Sequence, residues 1–211
     1  MKLLKVCLFV FFTVTVLAVG SDKKNQKRFE YDNQGSWDPL CLNGKFQSPI
    51  DINTRNTSKI DFGKLPFVPK TVDMAKVFSN GHTYQATFVT PHSQALNFEE
   101  TFLDKYDLYQ LHFHSPSEHK INGKAYEVEI HFVHKNHYGA IAVVGVFFKE
   151  GRFNADLNQF LDHVLPDEAT ATPQSFSLRK LYNKKRLDQF YTYSGSLTTP
   201  PCTEVKIIFQ L

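Results

Sequence analysis

The sequence predicts a mainly β, α+β fold in one domain: a large twisted, mostly antiparallel central sheet with a few short peripheral helices. Three observations predict it. Short runs rich in Val, Ile, Phe, Tyr and Thr recur along the chain, broken by Gly, Asn and Pro turn signals. Only one segment carries helical spacing. No repeat or linker divides the 211 residues, a length that a single β-rich core can use.

Residues 1–20 read as a secretory signal peptide, leaving 21–211 as the domain. Lys2 and Lys5 make a basic start, Val6 to Val19 is almost wholly apolar, and Ala18-Val19-Gly20 supplies small residues for cleavage. The stretch is too short and wrongly flanked for a convincing span, and no second apolar run of membrane length follows. A secreted mature protein with no membrane span is expected. Residues 21–36, polar and charged, read as a loose arm. Of three cysteines, Cys7 leaves with the leader, so Cys41 and Cys202 are expected to pair in an oxidising compartment. A bridge over so long a span could contribute roughly 4–5 kcal/mol. Asn56-Thr57-Ser58 is a glycosylation sequon.

The clearest strands are His82–Val89, Leu108–His114, Ala125–His134 and Gly139–Lys149. Asn122-Gly123 marks a hairpin turn between the second and third, because both residues tolerate positive φ. Asn154–Val164 reads as the helix, with Leu157, Phe160, Leu161 and Val164 on one side. The 20 Phe and 9 Tyr provide ample core. A net charge of +3 with scattered Lys and Arg excludes a nucleic-acid stripe.

Within "YQLHFHSPSEH" (Tyr109–His119), side-chain alternation places Gln110, His112 and His114 on one strand face and Leu111 and Phe113 on the other. In the next strand Glu129, His131 and Val133 share a face. If the two strands are antiparallel neighbours, three imidazoles converge with an open fourth position, the arrangement of a catalytic zinc site. Gln110 and Glu129 are each placed to hold the second nitrogen of a ligating ring. Metallo-β-lactamases and amidohydrolases also begin with His-x-His. The former need Asp-His just beyond, where this chain has Ser115-Pro116-Ser117, and the latter need alternating strands and helices. His92, His119, His134, His137 and His163 read as structural or surface residues, His134 on the face opposite His131.

"QSPIDI" (Gln47–Ile52), "SNGH" (Ser79–His82), "QLHFHSPSEH", "EVEIHFVH", "AVVGVFF" and "GSLTTPPCTE" (Gly195–Glu204) follow one another in an order and spacing that resembles the α-class carbonic anhydrases, from about Tyr31 to the last residue. The resemblance implies reversible hydration of CO₂ to bicarbonate and a proton, with Zn²⁺ held by His112, His114 and His131. It implies that Thr198 accepts the proton of a zinc-held hydroxide and donates its own to Glu118. Thr199 and the Thr198 N–H would help hold bicarbonate, His82 would be the proton shuttle, and Val133, Val143 and Leu197 the CO₂ pocket. Cys41 and Cys202 match the disulfide of secreted members. Three departures stand out. Ile208 aligns with a pocket aromatic, and Ser115 stands where animal members often have Trp. The chain also stops at "IIFQL", where members typically continue through a helix and a final strand that supply a backbone carbonyl to the ring equivalent to His114. Losing such a partner typically costs 10–100-fold in metal affinity or activity. The alternative expectation is therefore a catalytically impaired family member acting as a binding or structural protein.

Overall fold

The computed structural model describes residues 29–61, 63–65, 67–68, 73–89, 95–97, 105–178, 181–182 and 187–210. The expected leader, residues 21–28 and His92 lie outside them. Among the described residues no helix is long and apolar enough to cross a membrane.

A 3₁₀ turn at Tyr31–Ser36 and helix α1 (Pro39–Asn43) lead into the strands. These are β1 (Asp51–Ile52), β2 (Phe67–Val68), β3 (Asp73–Ser79), β4 (Tyr84–Phe88), β5 (Ala95–Asn97), β6 (Lys105–His114), β7 (Lys120–Ile121), β8 (Val128–Lys135) and β9 (Ile141–Phe148). Helix α2 (Ala155–Leu161) is followed by β10 (Gln174–Phe176), β11 (Phe190–Ser196) and β12 (Glu204–Gln210). Ten of these strands form one sheet in the order β10-β3-β4-β6-β8-β9-β12-β11, with the β2–β5 ribbon joined through β5 to β6. Its neighbours run antiparallel except β9 and β12, which are parallel. The expected mainly β, mostly antiparallel architecture is what the chain adopts.

β8 lies in mid-sheet and is buried on both faces, so its apolar residues serve two cores. Ile130 and Phe132 join the larger cluster with Leu108, Leu111 and Val144. Phe160 of α2 covers that cluster, and Asn154 caps the helix by accepting from the N–H groups of Asp156 and Leu157. On the other face Val133 packs with Ile52, Val143, Ile207 and Phe209. This smaller core is the floor beside the histidines.

Three expectations need correction. Asn122 (φ 51°) and Gly123 (φ 78°) do form a tight turn, but it closes a small Ile121–Lys124 bridge whose strand β7 pairs in parallel with β1. It does not join β6 directly to β8. The arm is not loose from Phe29 onward, because Phe29, Tyr31 and Trp37 pack edge-on against one another at centroid separations of 5.4–6.0 Å. Ile208 does not face the pocket. The β12–β9 register pairs Ile207 with Val143 on the pocket side and Ile208 with Val144 in the larger core, so the lining isoleucine is Ile207.

Cys41 of α1 and Cys202 are joined in a disulfide across 161 residues, as expected. Glu204 adds a second tie by accepting from the backbone N–H groups of Lys45 and Phe46. Together they fasten the N-terminal segment to the loop that carries Thr198 and Thr199.

Candidate metal centre

β6 and β8 pair antiparallel with His112 opposite His131 and His114 opposite Glu129. Alternation along both strands therefore brings His112, His114 and His131 to one side of the sheet, where one ring nitrogen from each lies within 4.8 Å of the others. Their second nitrogens decide the tautomers. His112 Nδ1 donates to Gln110 Oε1 at 2.8 Å, so its Nε2 keeps a lone pair. His131 Nε2 donates to Glu129 Oε1, so its Nδ1 keeps one as well. These two lone-pair nitrogens face each other at 3.2 Å.

When both rings are neutral, two acceptors so placed repel, and a cation between them relieves it, either a metal ion or a proton shared by the two nitrogens. A separation of 3.2 Å is close to the edge of a tetrahedron with Zn–N bonds of about 2.0 Å. His114 contributes a buried Nε2 with no hydrogen-bond partner, 3.3 Å from Glu118 Oε2. Burial holds His112 well below the ordinary histidine pKa and lowers His114 to about 3, with His131 adding to both effects. Neutral imidazoles are the form a metal needs. The donor set thus fits a divalent ion of zinc type. Among the described residues no group anchors the Nδ1 of His114 as Gln110 and Glu129 anchor the other two rings.

Glu129 is fully buried and accepts three hydrogen bonds: from His131, from His119 Nδ1 at 2.8 Å and from the His119 backbone N–H at 2.9 Å. Burial pushes its carboxyl up, but the charge of His131 and these bonds outweigh it and hold the group below the usual carboxylate range. Because His119 Nδ1 donates to Glu129, its Nε2 accepts from the Tyr193 hydroxyl at 2.7 Å. Tyr193 accepts in turn from Ser48 Oγ at 2.7 Å, and Ser48 and Ser196 exchange two further bonds. A second grouping, His119, Glu129 and His131, also has metal-ligand spacing, but its ring nitrogens are spent on this chain.

The histidines open into a cavity of about 590 Å³. Val133, Val143, Leu197 and Ile207 form its apolar wall, and Thr198 and Thr199 line it too. The Thr198 hydroxyl favours the charged form of Glu118, but burial dominates and raises that carboxyl to about 7. His82 sits at the mouth on a turn held by Asn80 Oδ1, which accepts from the His82 and Thr83 N–H groups. Phe29 stacks on the His82 ring at 4.1 Å, and Tyr31 meets it edge-on at 5.6 Å.

A family model described as eukaryotic-type carbonic anhydrase matches residues 32–209. The chain belongs to that family. It is 36% identical over 186 residues to the carbonic anhydrase of Klebsiella pneumoniae, covering 83% of this chain and 73% of that protein. It is 38% identical over 167 residues to the carbonic anhydrase of Pectobacterium carotovorum, covering 78% of this chain and 64% of that one. The Photobacterium profundum alpha-carbonic anhydrase structure superposes with a TM-score of 0.72 at 32% identity, over 85% of this chain and 79% of that one. The alpha-carbonic anhydrase from Thermovibrio ammonificans in complex with the inhibitor sulfanilamide gives 0.68 at 35%, over 81% and 74%.

Sequence reasoning missed three features of this carbonic anhydrase fold. His119, read as structural or surface, is buried and shares Glu129 with His131. Tyr193 and Ser48 extend the chain, although they lie 145 residues apart. Phe29 and Tyr31 flank His82. No local pattern marks such pairs, because each is made where the fold brings loops and segments outside the regular strand pattern against the sheet. The run from His112 to His131, by contrast, carries its own period.

Proposed function

We propose that this chain is a zinc-dependent carbonic anhydrase, interconverting carbon dioxide with bicarbonate and a proton, secreted after loss of residues 1–20. Ring nitrogens of His112 and His131 3.2 Å apart, each ring with its other nitrogen committed to an anchor and His114 within reach of both, carry the reading. His112 and His131 would hold the ion, with His114 as third ligand. Zn²⁺ in such a site lowers the pKa of its water from about 15.7 to about 7 and so supplies hydroxide near neutrality.

The protein's own groups do the rest. Gln110 and Glu129 fix two ring orientations. Val133, Val143, Leu197 and Ile207 exclude water and receive a neutral, apolar substrate. Thr198, donating to Glu118, keeps its oxygen free to accept, which selects a nucleophile that still bears a proton. Thr198 N–H and Thr199 hold the product anion. His82, exposed at the mouth, takes the released proton to solvent. Aryl sulfonamides, the inhibitor class held by the Thermovibrio relative, should bind in the same pocket.

The test is zinc content by mass spectrometry with stopped-flow CO₂ hydration on residues 21–211. One zinc per chain and hydration abolished in His112→Ala support the reading. Stoichiometric zinc without hydration would favour a binding protein, the second reading, which rests on His114 Nδ1 having no anchor among the described residues.

A further inference from the structure

We propose that Lys135 and Tyr109 form an anion-holding subsite at the mouth of the cavity, taking the carboxylate end of an elongated organic ligand whose other end reaches the histidine cluster. The proposal rests on the zinc-site reading above.

β8 presents His131, Val133 and Lys135 in turn toward the cavity, and Lys135 lines it. At about 3.4 Å per residue, Lys135 stands roughly 14 Å along the strand from His131, near the rim. Opposite it, the β6–β8 ladder breaks between Leu108 and Gln110. The extra residue in that bulge is Tyr109, which re-aims into the cavity lining although Leu108 and Leu111 stay in the core. Lys135 Nζ rests 3.9 Å from the Tyr109 ring centroid, a cation–π contact that fixes the ammonium at the wall.

This cation lacks a neutralising partner among the described residues. Among the described residues no carboxylate comes within ion-pairing distance of it. Asp107, its cross-strand neighbour, does not, and neither does Glu168, the lining's one carboxylate. Burial lowers the Lys135 pKa from the ordinary lysine value, so its charge is under-solvated. An anion beside it restores that lost solvation, which a neutral ligand cannot do. With Tyr109 41% exposed, a flat apolar face lies next to the charge, suiting an aryl or alkyl carboxylate. The cavity should therefore prefer anionic over neutral ligands of the same shape.

Three probes test this on the zinc-loaded protein by calorimetry: benzenesulfonamide, 4-sulfamoylbenzoate and its glycine amide, whose carboxylate reaches further. The wild type should prefer at least one carboxylated probe over the parent, and added salt should shrink that preference. Lys135→Gln should cut it about five-fold, the size expected of a partly exposed charge pair, and Lys135→Arg should retain it. Binding of the neutral parent should be unchanged throughout, which also reports that each variant is folded. If the parent binds and Lys135→Gln leaves the preference unmoved, the subsite is wrong while the zinc reading stands. If the parent does not bind the wild type, the zinc reading fails and this inference fails with it.

Discussion

Glu129 shows how one residue can govern a site it does not enter. Three donors converge on its two oxygens: both neighbouring imidazoles and a backbone N–H. Only a full carboxylate satisfies them while polarising His131. Replacing it with an amide leaves one acceptor oxygen for three donors and turns an NH₂ group either toward the two imidazole N–H groups or toward the His119 backbone N–H. Glu129→Gln should therefore release His131 from its tautomer and lower zinc affinity by about 10–100-fold, read by competition with a chelator of known affinity. His119→Phe keeps the ring volume and removes one donor, so it should cost less. Equal zinc affinity in wild type and Glu129→Gln would show that the carboxylate does not orient the ligand.

At the scale of elements, the decisive contact lies between β9 and β12. Gly145 pairs with His131 on one side and with Phe209 on the other. A Cβ at Gly145 would sit 2.1 Å from the Phe209 ring, which lies over this strand, 4.3 Å from the His119 ring and stacked on Phe147. Glycine is thus needed for close approach, not for its backbone angles. Gly145→Ala would drive Phe209 into His119 and disturb the Glu129 chain from behind. A cost of about 1–3 kcal/mol in unfolding free energy is expected, as for other overpacked cores, together with weaker zinc binding; urea titration reads the first and chelator competition the second. Gly145 also shows where legibility in the sequence ends. The face shared by Gln110, His112 and His114 follows from alternation alone, and so does that of Glu129, His131 and Val133, because a strand repeats every two residues. The need for glycine at 145 follows from parallel pairing with a strand more than sixty positions away, which no local period encodes. The same holds for Ile207 against Ile208. Both are apolar, and only the register with Val143 and Val144 says which one faces the pocket.

Across the whole molecule, a cost accompanies the burial of so many imidazoles. His112, His114, His119 and His134 are each driven below the ordinary histidine pKa chiefly by desolvation, His114 and His134 to about 3. The folded protein therefore keeps them neutral in a range where the unfolded chain takes up protons. His131 runs the other way: Glu129 overcomes its burial and raises it, so it is already protonated in both states as the pH falls below 6.5 and adds nothing there. Glu118, raised to about 7 by burial, binds one proton in the folded state before the unfolded chain does and offsets one histidine. Between pH 6.5 and about 4.5 the unfolded state thus gains up to about three protons net, and each is worth about 1.4 kcal/mol per pH unit. Below 4.5 Glu129 adds to the loss, since its depressed carboxyl resists protonation only in the fold. Stability of the metal-free protein should accordingly fall below pH 6.5 by up to about 4 kcal/mol per unit, and His131 adds a smaller loss of up to about 1.4 kcal/mol per unit as the pH rises from 6.5 through its raised pKa. Urea midpoints measured from pH 8 to pH 5 test this. A metal-free protein equally stable at pH 5.5 and pH 7.5 would mean that these rings are hydrated in solution, and their burial beneath the sheet would have to be abandoned.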